Sequence, residues 1–222
     1  MISVERIQAA IELVEWIRLS VHNQPLTANE RNLVAVPCYT ITQDHHHAIV
    51  LLIDHQLFAS SFALLRIAFE SYIRGVWLSL CAKDAEIEKF SNGWEPPNIT
   101  KLLDDVETTP GFTEKILSHI KTRSWKAMCD FTHTGGLHTQ RWNSSEAIEP
   151  NYSNQEIEEV LQLSEILAIM SVIGLAEVIG DDALAQRVHE KFLDFRKSVS
   201  PESASPAVNI RTGSGVSITN KS

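Results

Sequence analysis

Apolar residues recur at three- and four-residue steps through Val4, Ile7, Ile11, Val14, Ile17 and Val21, and no segment of the chain settles into two-residue alternation. The first spacing is that of one stripe on a helix, and the missing alternation argues against half-buried strands. After a break at Asn23 to Pro25, Thr27 and Glu30 have the spacing of a capping box, which predicts a second helix from there to about Gln56. Pro37 falls inside it, where the ring removes a donor and crowds the preceding turn, so a kink or a split is expected. A third helix, Phe58 to about Ala82, follows after only a few residues, so the second and third should form an antiparallel hairpin.

Short helices are expected from Lys83 to Phe90 and, capped by Asn98, from Ile99 to Glu107. Pro110-Gly111 is a break, and helical spacing resumes from Phe112 to about Thr132. From Thr134 to Tyr152 the pattern lapses into Gly135-Gly136, Asn143-Ser144-Ser145 and Pro150-Asn151, the spacing of a long irregular loop. Ser153 and Glu156 form a second capping-box signature opening a long helix to Ile179. Gly180 ends it, and Asp181 caps a last helix to about Lys197. The Ser-, Pro-, Gly- and Thr-rich segment after it has little to bury. The expected architecture is all-α: one helical bundle domain over 1–197, with about five long helices plus short ones, and a disordered tail over 198–222.

The third helix changes the picture from fold to chemistry. Between Ala59 and Cys81 its only charges are Arg66, Glu70 and Arg74, spaced by four. Each four-residue step advances a helix by about 40°, so the three side chains form one narrow line. Ser61, Ala68, Ser71, Gly75 and Ser79 lie away from that line and leave room for close helix packing. Charges on such a helix need partners. Counting back from the hairpin turn sets His47 level with Arg66, Asp44 or Gln43 with Glu70 and Thr40 with Arg74, so a cluster of Asp44, His47, Arg66, Glu70 and Arg74 is expected inside the bundle. His133 is the candidate imidazole from outside the hairpin, with His138 and Arg141 on the following loop, placed to fold over a bound anion.

Two roles fit those residues. In one, a buried ion network fixes helix register. In the other, Arg66 and Arg74 are planar donor forks for a carboxylate or phosphate, Glu70 holds one of them, and His133 moves protons; His47, Asp44, His138 and Arg141 would line the ligand. Trp77 and Trp125 read as packed, Trp94 and Trp142 as exposed, and Glu156, Glu158 and Glu159 as a solvated face that supports a helix start.

Composition narrows the classes further. A net charge of −9 works against a broad electrostatic grip on nucleic acid. Cys38, Cys81 and Cys129 are too few and scattered for a disulfide framework, and no CxxC pair exists. Nine histidines, including the run His45-His46-His47, match no zinc spacing, so neither a metal nor another cofactor is expected. No phosphate-binding loop, nucleophile elbow or dinucleotide fingerprint is present. Charges early in the chain break any leader pattern, and Ile166 to Ile179 is too short to span a bilayer. A cytoplasmic protein without membrane contact is expected, associating as a homodimer or with a protein partner from the same operon.

The run Phe62-Ala63-Leu64-Leu65-Arg66-Ile67-Ala68-Phe69-Glu70-Ser71-Tyr72-Ile73-Arg74-Gly75-Val76-Trp77-Leu78, followed later by Thr132-His133-Thr134-Gly135-Gly136, resembles a family of bacterial helical proteins known as domains of unknown function. The resemblance spans about Asp44 to Arg141 and implies the helical fold without an activity. A weaker likeness is to HEPN-type helical domains, many of which are metal-independent ribonucleases in toxin or phage-defence systems. Their Arg-polar-x-x-x-His signature is not reproduced, since the first His after Arg123 is His133. What that likeness implies is a helical stress or phage-defence effector with Arg paired to His.

Overall fold

A computed structural model describes residues 2–144 and 147–199, with side chains as far as Asp194 in the last helix. The described residues form nine helices and no strand: α1 (Val4–Val21), α2 (Glu30–Asp54), α3 (Phe58–Leu80), α4 (Asp84–Ser91), α5 (Ile99–Val106), α6 (Ile116–Thr132), α7 (Gly136–Gln140), α8 (Asn154–Ile179) and α9 (Asp182–Val199). The all-α expectation holds. The expected disordered tail falls almost wholly outside the described residues.

Local chemistry explains the boundaries. Ser3, Asn98 and Ser153 accept backbone N–H bonds at the starts of α1, α5 and α8, and Glu156 completes the capping box of α8. Gly180 closes α8 at φ 72°, a conformation that costs a residue without Cβ little. Two expectations need correction, those of the α2 cap and of the loop after Thr134, and a third, at Pro37, is narrowed. The cap of α2 is Asn29, whose side chain accepts from Asn32, rather than Thr27. Pro37 does not split α2, which runs continuously past it. The stretch after Thr134 is not wholly irregular, because it contains α7 and a small bridge between Asn143 and Ile148.

The core is organised around α2, which packs most extensively on α3 and then on α8. Tyr39 of α2 is the wedge between them. A Cβ on Gly75 of α3 would sit 2.9 Å from its ring, and one on Gly174 of α8 would sit 2.5 Å from its Cζ. Both helices therefore approach the same aromatic ring only because they carry hydrogen at those positions. The phenol shares a 2.9 Å hydrogen bond with Ser79 Oγ, and Ser71 Oγ donates to the Cys38 carbonyl at 2.8 Å. Phe62, Phe131 and Tyr152 join α3, α6 and the start of α8 in an aromatic cluster with ring centroids 4.8 to 6.4 Å apart.

The face that α1 buries is Ala10, Leu13, Val14 and Ile17, whereas Val4 and Ile11 of the expected stripe are exposed. α8 is long and apolar enough to cross a membrane by length and composition, yet 56% of that apolar window is buried inside the bundle. That is the signature of a central core helix.

Gly174→Ala should lower stability by about 1–3 kcal/mol, since overpacking against Tyr39 outweighs the gain of about 1 kcal/mol in helix propensity. Gly136→Ala, where a Cβ meets nothing within 4 Å, is the control and should be neutral or slightly stabilising. Urea unfolding of the two variants checks the contrast.

Candidate functional site

The Arg66 end of the charged line of α3 lies on the seam that this helix makes with α6, while Arg74, two turns on, acts electrostatically on Cys38 of α2. Arg66 Nε donates to Glu70 Oε1 at 2.8 Å, one turn on. Its Nη1 donates to Nε2 of His133. A guanidinium has no acceptor, so in this contact the imidazole carries its proton on Nδ1 and offers Nε2 as a lone pair. The Arg66 guanidinium also sits 4.9 Å from the ring centroid of Trp125 of α6, and Lys121 Nζ lies 5.5 Å from the same centroid. Arg74 approaches the other oxygen of Glu70 at 3.6 Å, an ion pair too long for a hydrogen bond. Its Nε is buried without a hydrogen-bond partner. Side-chain exposure along the line is 21%, 19% and 37%, so these charges sit at a half-open seam rather than in the bundle interior.

The backbone around His133 explains how the imidazole reaches α3. His133 is the C-cap of α6, and the Gly135 N–H donates to the Asp130 carbonyl at 2.7 Å, the six-to-one bond of a Schellman ending. That ending needs a left-handed residue at Thr134, which has φ 54°. Glycine normally fills such a position, and a β-branched residue there stores about 1–2 kcal/mol. Gly135 is needed for a different reason: a Cβ there would stand 2.6 Å from Asp130 Oδ1. The same turn is pinned from above by Thr132 Oγ1, which lies 2.8 Å from the Met128 carbonyl and 3.1 Å from the Ala63 carbonyl of α3.

The ligand residues expected from α2 and the loop lie elsewhere. Asp44 and His47 are level with the charged line but exposed on the outer face of α2, and His47 acts electrostatically on Glu15 of α1. Three consecutive histidines point in directions 100° apart, and His46 is the one that turns into the core. His138 packs its ring 5.5 Å from that of Phe131, with Nδ1 buried and unpartnered. Arg141 Nε donates to Glu156 Oε1 at 2.9 Å, which ties the loop to the start of α8 instead of to Arg66. Glu156 and Glu159 are buried and Glu158 is half-buried, so the expected solvated acidic face is absent. Trp77 is buried and Trp94 and Trp142 are exposed, as expected.

Residues 39–201 match the family of unknown function DUF6988. The chain belongs to that family. No curated protein matches it, and no solved structure does. The family segment contains every residue of the seam, and it leaves out α1 and the first part of α2. Membership carries the helical fold and no activity.

A second polar cluster was not anticipated, and it joins the family segment to α1. Arg6 forks onto Glu165 of α8, with Nη1 and Nη2 donating at 2.8 and 2.7 Å, while its Nε donates to Glu158 at 2.9 Å. Glu165 is fully buried. Beside it, His46 Nδ1 lies 3.0 Å from Ser164 Oγ, whose own hydrogen goes to the Leu161 carbonyl at 2.8 Å. His46 therefore donates from Nδ1, and its Nε2 is buried with no partner. Two signals were present in the sequence: Arg6 stands one turn before Ala10 on the true inner face of α1, and Glu165 is a lone charge between Leu163 and Ile166. Among the described residues no group of three or more His, Cys, Asp or Glu could hold a metal ion.

Burial pushes the Glu165 carboxyl up from 4.5 to about 7 against the pull of Arg6, and burial pulls His46 down from 6.5 to about 3. The Glu165 contribution to stability is complete below pH 4.5 and is lost as pH rises through about 7. The His46 contribution is complete above pH 6.5 and is lost as pH falls toward 3. Between pH 4.5 and 6.5 the two slopes oppose each other. Glu165→Gln should remove one of them, so that stability falls by about 1.4 kcal/mol per pH unit on acidification across that window, steeper than in the unaltered chain. Urea titrations at pH 6.5 and 4.5 measure the difference. Thr134→Gly should raise stability by about 0.5–1 kcal/mol by relieving the left-handed turn, read from the same titrations at neutral pH.

Proposed function

We propose that the α3–α6 seam binds a phosphate-bearing ligand through Arg66 and Arg74. The observation that carries this reading is a surplus of cationic donors. Arg66 commits Nε and one Nη1 hydrogen to Glu70 and His133, and Arg74 has a buried Nε without a partner. Lys121 lies over the same Trp125 ring that Arg66 meets, and the single carboxylate Glu70 pairs with both arginines, in a chain of net charge −9. Planar guanidinium forks matched to tetrahedral oxygens suit phosphate better than any neutral ligand. A ligand that draws Arg66 away from His133 would free the Nε2 lone pair for proton transfer, which is the route to metal-independent phosphodiester cleavage or nucleotide processing. The cellular role proposed with it is that of a bacterial cytoplasmic effector of the stress or phage-defence type. Its support is the Arg–His contact on an all-helical scaffold.

A second reading is favoured by the same contact. Arg66 to His133 fastens the end of α6 onto α3, so the network can be a structural tie in a non-enzymatic interaction module.

Titration with pyrophosphate, followed by calorimetry and by Trp125 fluorescence, separates the two. The binding site predicts saturable binding that Arg74→Gln weakens about tenfold or more at an unchanged melting temperature. The structural tie predicts no binding, together with a loss of about 1–3 kcal/mol in His133→Ala. Protein that binds pyrophosphate yet leaves RNA and nucleotides intact is a binder and not a nuclease.

A further inference from the structure

We infer, on the footing of the phosphate site proposed for the α3–α6 seam, that its ligand is a free nucleotide and that Trp125 selects it by stacking on the base. Both helices place the indole for this. It projects half-buried from α6, and Phe69 of α3, itself fully buried, packs against it with ring centroids 6.4 Å apart and the rings at 61°. An edge-on aromatic neighbour of that kind holds a ring in one place. Phe69 stands between Arg66 and Arg74 in α3, so the indole lies level with the stretch of helix between the two guanidinium groups.

What covers the ring is a cation that can leave. The Arg66 guanidinium lies over the indole, 4.9 Å from its centroid, and the same group reaches Nε2 of His133. Trp125 and His133 are eight residues apart, about 12 Å along the axis of α6, and Arg66 bridges them. A guanidinium is flat and covers an aromatic face much as a base does. Stacking with a base is the stronger of the two contacts at a partly open ring.

The two halves of a nucleotide therefore act on one side chain. The phosphate draws Arg66 off His133, the same movement bares the face of Trp125, and the base takes the place the guanidinium held. Arg66 keeps Glu70 through Nε while its terminal nitrogens turn to the phosphate. Lys121, one turn before Trp125 and 5.5 Å from the ring centroid, stays beside the ring as a further cation for phosphate oxygens. A phosphate without a base strips Arg66 from the indole with nothing to replace it, so inorganic phosphates and sugar phosphates are the weaker ligands. The net charge of −9 works against a strand running on across the surface, which leaves a single nucleotide.

AMP and ribose 5-phosphate differ only by the base, so calorimetric titration of the full chain with each isolates its contribution. AMP should bind about tenfold more tightly and quench tryptophan fluorescence. Trp125→Leu should bring the two affinities within about twofold of each other. Trp125→Phe, which keeps a stacking face, should retain part of the preference for AMP and lose the quench. A chain that binds pyrophosphate yet takes AMP no better than ribose 5-phosphate overturns the inference and leaves the phosphate site standing. So does a preference for AMP that persists undiminished in Trp125→Leu. Absence of binding by pyrophosphate, AMP and ribose 5-phosphate alike removes the phosphate site and the nucleotide with it. Oligoadenylate that binds more than about tenfold tighter than AMP assigns the seam to a strand and overturns the choice of a free nucleotide.

Discussion

A charge on a helix that is otherwise core must be answered by the rest of the fold, and α3 carries three in one line. Glu70 answers Arg66 from within the helix, at 2.8 Å. The remaining answer comes from 67 residues away, where the end of α6 delivers His133 as a neutral acceptor. This requirement fixes more than one contact. It sets the rotation of α3 so that its charged line faces the α6 seam, which in turn directs Ser71 and Gly75 toward α2. The fit of Tyr39 between Gly75 of α3 and Gly174 of α8 holds α3 at that same rotation.

The molecule handles buried charge in two ways. On the α3–α6 seam the guanidinium groups stay partly open and keep unspent donors, an arrangement suited to an anion from outside. Between α1 and α8 the Arg6 fork is matched to Glu165 at both terminal nitrogens and reinforced by Glu158, so that one cation is answered by two carboxylates. Removing one partner from such a closed pair strands the other in a low-dielectric interior. The closed pair reads as structure and the open one as a site, although both are built from the same residue types.

The Arg6 pair also joins two parts of the chain with different standing. The family segment begins at residue 39, within α2, yet α1 reaches it with the Arg6 contact to the fully buried Glu165 and with the side chains Ala10, Leu13, Val14 and Ile17. α1 is therefore integral to this bundle and not an appendage. The uncharged half of α2 lies across that same boundary, with its inner face committed to Tyr39 and its outer face open.

All the helices except α7, and most boundaries, were legible in the sequence, because a 3.6-residue apolar period, Asn and Ser caps, and Pro-Gly breaks act over a few neighbouring residues. The charged line of α3 and the position of His133 at a helix end were legible for the same reason, since spacing by four is a property of one helix and Thr-Gly-Gly marks a helix end. The rotation of each helix about its own axis was decided only by the tertiary structure. One step of 100° exchanged His47 for His46 at the core, and α1 buries Ala10 and Leu13 in place of Val4 and Ile11 while keeping Val14 and Ile17 of the expected stripe. A sequence can set the height of a side chain along a hairpin by counting from the turn. Which way that side chain points is set by simultaneous packing against several helices, and here by the fit of one tyrosine between two glycines from distant parts of the chain.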